Sequence, residues 1–200
     1  MSGSTPAATI RLIALGDSLT AGYGLPADSA FPVRLEQALR RRGYAVTVLN
    51  AGISGDTTAG GLARVDAVIA AHPDGVILEL GTNDALYGLP ETAIRANLDA
   101  TLARLSEAGI PVLLSGARDL GGRGPRFAAA LAAVYAELAQ KYNAVLDPFF
   151  LEGAYGRRKL FQPDGLHPNA AGVDVIVARL VPTVETFLSG LGAKPAPKTP

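Results

Sequence analysis

Five short runs of apolar, mostly branched residues punctuate the chain: Ile10–Leu15, Ala45–Leu49, Gly75–Leu80, Ile110–Ser115 and Ala144–Leu146. They are apolar at nearly every position instead of alternating, which predicts strands covered on both faces. Longer stretches between them repeat their apolar residues at helical spacing. Phe31, Leu35 and Leu39 form one stripe, and Leu62, Val65 and Ile69 another. Ile94, Leu98, Leu102 and Leu105 form a third, followed by Phe127, Leu131, Val134 and Leu138. A last helix is expected after Asn169, along Val173, Ile176, Val177 and Leu180, with Pro182 expected to kink or break it. Strand–helix alternation of this kind predicts an α/β fold with a mostly parallel five-stranded sheet and helices on both faces. No internal repeat and no linker interrupts the pattern. One domain over residues 10–190 is expected, with a flexible N-terminus (1–9) and a flexible Pro-rich tail (191–200).

In open α/β sheets, sites gather beyond the carboxyl ends of the strands. The segments to read for chemistry are therefore GDSLT, NAGISGDTT, GTNDALYG, GARDLGGRG and DPFF, each of which follows a strand. Ser18, in GDSLTAGYG, has two readings: a cap for the helix that begins there, or a nucleophile held up at a strand end. The chain has only two histidines. His72, at a helix end before Pro73, reads as a surface loop residue. His167, in QPDGLHPN, follows Asp164 by three residues, a spacing that lets a carboxylate accept the imidazole Nδ1–H and leaves Nε2 free to take a proton. The plain alternative is an Asp that turns the loop and a His that caps the next helix. If a base takes the Ser18 proton as its oxygen attacks a carbonyl, the resulting oxyanion will need donors. Candidates are the Ser18 amide, a glycine amide in AGISGD and the Asn83 side chain, although Asn83 and Gly55 taken singly read as turn residues.

Composition narrows the field. The 200 residues are 48% hydrophobic and 18% charged, the profile of a globular domain rather than a disordered chain. Lys plus Arg and Asp plus Glu both number 18, so no electropositive footprint suggests nucleic acid as a partner. The densest basic run, Arg40-Arg41-Arg42 before Gly43, suits a helix C-terminus and its dipole. With no cysteine in the chain, disulfides, thiol nucleophiles and cysteine metal sites are excluded. No apolar stretch approaches the roughly 20 residues that span a bilayer. MSGSTPAAT lacks the basic start and apolar centre of a signal peptide. The compartment is thus left open between periplasm, if a signal has been removed, and cytoplasm.

Four blocks in order, GDSLTAGYG, NAGISGDTTAGGLARV, LELGTNDAL and DGLHPN, resemble the SGNH hydrolases, the GDSL family of esterases and lipases. The resemblance covers nearly all of residues 10–190 and points to the branch of bacterial arylesterases, acyl-CoA thioesterases and lysophospholipases. It implies a three-layer α/β/α flavodoxin-like fold, a small-molecule ester or thioester substrate, and no metal or organic cofactor. Carried over by position, Ser18 is the nucleophile and Asp164 and His167 complete the triad. The Ser18 and Gly55 amides and the Asn83 side chain face the oxyanion. Asp17, Asp56 and Asp84 are expected to support turns. Leu19, Tyr23, Leu86, Tyr87 and Leu166 are expected near the mouth. Thr82 stands where many relatives carry glycine and is expected to reshape the acyl pocket. GARDLGGRGPRF holds the place of a substrate-recognition loop, and its four glycines and three arginines argue against long acyl chains. A monomer is the expected state.

Other accounts use the same residues differently. A carbohydrate acetylesterase would employ the same triad. A flavodoxin-like binder could set a flavin phosphate on the GDSLTAG amides, but needs neither His167 nor Asn83. Phosphoryl transfer through Asp17 lacks a second carboxylate two residues on.

Overall fold

The computed structural model describes residues 9–196; most of the expected N-terminal segment and the last four residues of the expected tail lie outside the described residues. Five strands, β1 (Ile10–Gly16), β2 (Val46–Gly52), β3 (Gly75–Glu79), β4 (Val112–Ser115) and β5 (Val145–Asp147), form one sheet in the order β2-β1-β3-β4-β5. All four pairings are parallel. The helices are α1 (Ser18–Ala21), α2 (Phe31–Arg41), α3 (Thr58–Ala70), α4 (Thr82–Leu86), α5 (Glu91–Glu107), α6 (Pro125–Lys141) and α7 (Ala170–Gly190).

Alternate residues of β1 explain the three layers. Leu12 and Ala14 point into a core shared with Phe31, Leu35 and Leu39 of α2 and Val173, Ile176, Val177 and Leu180 of α7. Ile13 and Leu15 point the other way, into a core with Val65 of α3, Leu98 and Leu102 of α5 and Leu131 and Val134 of α6. A strand flips successive side chains to opposite faces, so a run apolar at every position fills both cores. Each large aliphatic side chain fully buried contributes roughly 1.5–3 kcal/mol.

The strand bounds shift by one to three residues from the sequence expectation, and α7 departs from it at Pro182. β2 continues three residues beyond Leu49, to Gly52, because β1 runs on to Gly16 and offers Asn50, Ala51 and Gly52 register partners. α7 is not broken at Pro182. The proline removes the N–H that would bond the Ala178 carbonyl, but both residues lie on the solvent face, where water can take that carbonyl. Val181, Val184, Phe187 and Leu188 on the buried face hold the helix together. Beyond α7 the chain stays docked: Leu191 and Ala193 pack against the α2–α7 core, and the Ala196 N–H bonds the Gly43 carbonyl at 2.9 Å.

The chain leaves β1 toward β2 on one side and returns as β3 on the other. The carboxyl ends of β1, β2 and β3 therefore meet at the reversal point of the sheet, where α/β folds open a crevice.

Candidate active site

Ser18 leaves the end of β1 in a tight turn. Gly16 permits that turn, since a Cβ there would lie 2.0 Å from Thr20 Oγ1 and 2.8 Å from the Glu79 carbonyl. Asp17 caps α1 by accepting the Leu19 N–H at 2.8 Å. Ser18 is thereby the first residue of a helix, where an N–H has no intrahelical acceptor. The Ser18 hydroxyl meets the His167 Nε2 at 2.9 Å across 149 residues of sequence.

His167 comes from the loop before α7. That loop is folded on Asp164, whose Oδ1 accepts the N–H groups of Leu166 and His167 at 2.9 and 3.0 Å. Asp164 Oδ2 meets His167 Nδ1 at 2.7 Å. Hydrogen bonding from the imidazole, with the two main-chain N–H groups adding to it, holds the Asp164 carboxyl down at about 2. The Tyr23 ring leans on the imidazole, centroids 4.5 Å apart. A carboxylate on Nδ1 selects the tautomer whose Nε2 carries a lone pair toward the serine. The arrangement can draw a proton from Ser18 as its oxygen attacks an electrophile.

Gly55 sits in the loop after β2 at φ +82°, in the left-handed region that glycine alone adopts freely. Among the described residues neither its N–H nor that of Ser18 has an acceptor. Both donors are open to an oxyanion. Asn83 is differently placed. It rides on the first turn of α4, behind Gly81, whose φ of +117° and closeness to the Tyr135 hydroxyl (2.1 Å from a Cβ) admit only glycine without strain. Its Nδ2 donates to Asp17 Oδ2 at 3.1 Å and to the Asp56 carbonyl at 2.8 Å. Both amide hydrogens are thus engaged, and one must be exchanged or shared before Asn83 can serve an oxyanion.

The mouth differs in part from the sequence expectation. Tyr23 and Tyr87 are exposed on the rim, and Leu86 and Leu166 are half-buried there. Thr82 is the first residue of α4 and is as buried as its neighbour Asn83 and as Ser18. Leu19 packs in the α2–α7 core and only edges the recess beside Ser18. Ile53 and Leu89, exposed in the loops after β2 and α4, were not anticipated; a lone apolar residue in a loop carries no periodic signal. His72 is exposed in the turn after α3, as its position suggested.

Sequence reasoning also missed Arg64. Its guanidinium bonds Asp56 Oδ2 at 2.8 Å, the Ala51 carbonyl at 2.6 Å and the Gly16 carbonyl at 2.9 Å. One side chain of α3 therefore ties the Gly55–Asp56 loop to the ends of β1 and β2. Asp84, fully buried, accepts both the N–H and the hydroxyl of Thr58 and fixes α3 against α4. Beneath the turn, burial pushes the Asp17 carboxyl up to about 7, and burial together with the Asp17 charge pushes Glu79 well above the usual carboxylate range. Among the described residues no helix is long and apolar enough to cross a membrane.

Comparison with known proteins bears on this geometry. Residues 14–175 match the model of the GDSL-like lipase/acylhydrolase family. The chain is 38% identical over 183 residues to esterase TesA of Pseudomonas aeruginosa, covering 91% of each protein. It is 40% identical over 163 residues to an arylesterase of Vibrio mimicus, covering 81% of this chain and 82% of that one. The crystal structure of AlinE4, described as an SGNH-hydrolase family esterase, superposes with a TM-score of 0.77 at 41% identity, over 92% of this chain and 99% of that one.

Proposed function

The chain belongs to the GDSL-like lipase/acylhydrolase family, and from that premise we propose that it hydrolyses small carboxylic esters through an acyl-enzyme on Ser18. The observation that carries this reading is the unbroken line Asp164–His167–Ser18, with contacts of 2.7 and 2.9 Å.

In this reading Ser18 Oγ attacks the carbonyl carbon while His167 Nε2 takes its proton, and Asp164 stabilises the imidazolium. The oxyanion of the tetrahedral intermediate lies against the Ser18 and Gly55 N–H groups, with the Asn83 amide turning from the Asp56 carbonyl to join them. His167 returns the proton to the departing alcohol, or to a thiol where the substrate is a thioester. Water, activated by the same imidazole, then releases the acid and frees Ser18. All these groups come from one chain, which suits a monomer as the working unit.

Short acyl groups fit best. The recess that Ser18 shares with Tyr23, Leu25 and His167 is too narrow to hold a water molecule. A hollow of about 410 Å³ does open between Ala117, Asp119, Pro125, Ala128, Ala132 and Pro148, but Ser18 does not line it. The exposed rings of Tyr23 and Tyr87 suit an aryl leaving group.

The test is hydrolysis of p-nitrophenyl esters from acetate to palmitate, with Ser18→Ala in parallel. Activity peaking at short chains and abolished in the variant is expected. Undiminished turnover by Ser18→Ala would overturn the nucleophile, and activity rising toward palmitate would overturn the short-chain preference. Ser18-dependent release of acetate from acetylated sugars alone would move the substrate class to carbohydrate esters.

A further inference from the structure

The Asp17 and Glu79 carboxyls are buried together beneath the turn that carries Ser18, 1% and 2% exposed, and the reaction described above gives Glu79 no part. Glu79 is the register partner of Gly16 across β3 and β1, which brings its side chain under the turn. There it accepts from the Thr20 hydroxyl at 2.8 Å and lies close enough to Asp17 for the charge of that carboxyl to act on it. Asp17 in turn accepts from the Leu19 N–H and from Asn83 Nδ2.

Neither carboxyl has a cation bound to it among the described residues. The charged and titratable groups around the pair are Asp56 and Arg64, Asp84 and Tyr135. Arg64 is committed to Asp56 and two carbonyls, Asp84 to Thr58, and Tyr135 donates to the Leu80 carbonyl. Two carboxyls buried side by side without a cation resist ionising together. Both oxygens of Asp17 face N–H groups, which only donate, whereas the Thr20 hydroxyl on Glu79 can equally accept. The shared proton therefore rests on Glu79.

We propose that Glu79 is a positioning residue that works as a neutral carboxylic acid: it donates a hydrogen bond to the Asp17 carboxylate, and that carboxylate fixes the Asn83 amide at the edge of the Ser18 site. The proposal rests on the reading of Ser18 as nucleophile and adds a polar relay under it, Thr20–Glu79–Asp17–Asn83. Through Asp17 the relay also sets the α1 cap, so Glu79 acts on both the nucleophile's turn and a donor opposite it without touching substrate.

The experiment compares wild type, Glu79→Gln, Glu79→Ala and Ser18→Ala on p-nitrophenyl acetate across pH, after their circular dichroism spectra have been matched. Glu79→Ala is expected to lose roughly 10- to 100-fold in kcat with KM changed less than about threefold, the signature of displaced groups rather than lost binding. Glu79→Gln keeps a neutral donor and is expected to rescue kcat to within about threefold of wild type. In the infrared, wild type above pH 8, where Asp17 is ionised, should show the C=O stretch of a buried protonated carboxyl, and Glu79→Gln should lack it. An unimpaired Glu79→Ala, a Glu79→Gln as impaired as the alanine variant, or a spectrum without that band overturns the proposal. If Glu79→Ala does not fold, the glutamine variant and the infrared band decide. Hydrolysis surviving in Ser18→Ala overturns the nucleophile instead, whatever the Glu79 variants do.

Discussion

Asp164 and Asp17 are the same side chain in two environments on either side of Ser18. Asp164 stands at the rim, its side chain 40% exposed, and accepts three hydrogen bonds from its own loop. Those bonds favour the charged form and draw its carboxyl down to about 2. Asp17 is 1% exposed and accepts two, yet burial beside Glu79 and near Asp56 and Asp84 lifts it to about 7. Desolvation outweighs donor bonds when a second acid shares the pocket; solvent and an imidazole partner reverse the balance. The rim carboxylate is thus charged and able to stabilise an imidazolium, while the buried pair organises the backbone by holding one proton between two acids.

The comparison can be broken most severely at the rim. Asp164→Asn should leave the loop folded but weaken the hold on the His167 tautomer, and a fall in kcat of about 10³–10⁴-fold is expected. A loss under tenfold, measured on p-nitrophenyl acetate, would mean that the carboxylate does not orient the base.

Next comes the clamp beside the buried pair. Arg64→Met removes three hydrogen bonds at once, and about 1–3 kcal/mol of stability should go with them, read as a lowered urea midpoint. The Gly55–Asp56 loop loses its anchor, so kcat should drop by about tenfold while KM changes little. Equal loss in Arg64→Lys would show that the forked geometry, not the charge, holds the loop.

Smaller effects are expected at the exposed apolar edge. Tyr23→Ala and Tyr87→Ala should raise KM for aryl esters about threefold and leave alkyl esters nearer wild type. Identical changes for both substrate classes would remove the rings from leaving-group recognition.

The slightest effect, and the sharpest on the contrast itself, is the pH dependence of stability. The Asp17 carboxyl is raised in the folded state, so its contribution is complete below the unfolded carboxylate range near 4 and fades as pH rises through about 7. Asp164 is depressed, so its contribution is present above about 4 and fades as pH falls toward 2. In thermal melts Asp17→Asn should flatten the decline between pH 5 and 8, and Asp164→Asn should flatten the decline below pH 4. Melting curves of the two variants that run parallel to wild type at every pH would dissolve the distinction.

Much of this architecture was legible in the chain. The strands and the helical stripes follow from period alone, and both cores follow from runs such as Ile10–Leu15 that are apolar at every position. The loop around Asp164 and His167 was legible too, because its hydrogen bonds span only two or three residues. The GDSL, SGD, GTND and DGLH blocks marked the segments that the fold gathers. Pro182 does not break α7, because local propensity takes no account of the burial that holds the helix together.

Local pattern determines elements, since period, caps and tight turns depend on residues a few positions apart. What the tertiary structure alone decided is order, distance and burial: β2-β1-β3-β4-β5, the 2.9 Å between residues 149 apart, the grip of Arg64, and the charge carried by each acid. A carboxyl's charge depends on how much water and which partners reach it, and those are supplied by strands and helices far away in sequence. Asp17 and Asp164 are indistinguishable as letters; only the packing around them makes one share a proton and the other keep its charge.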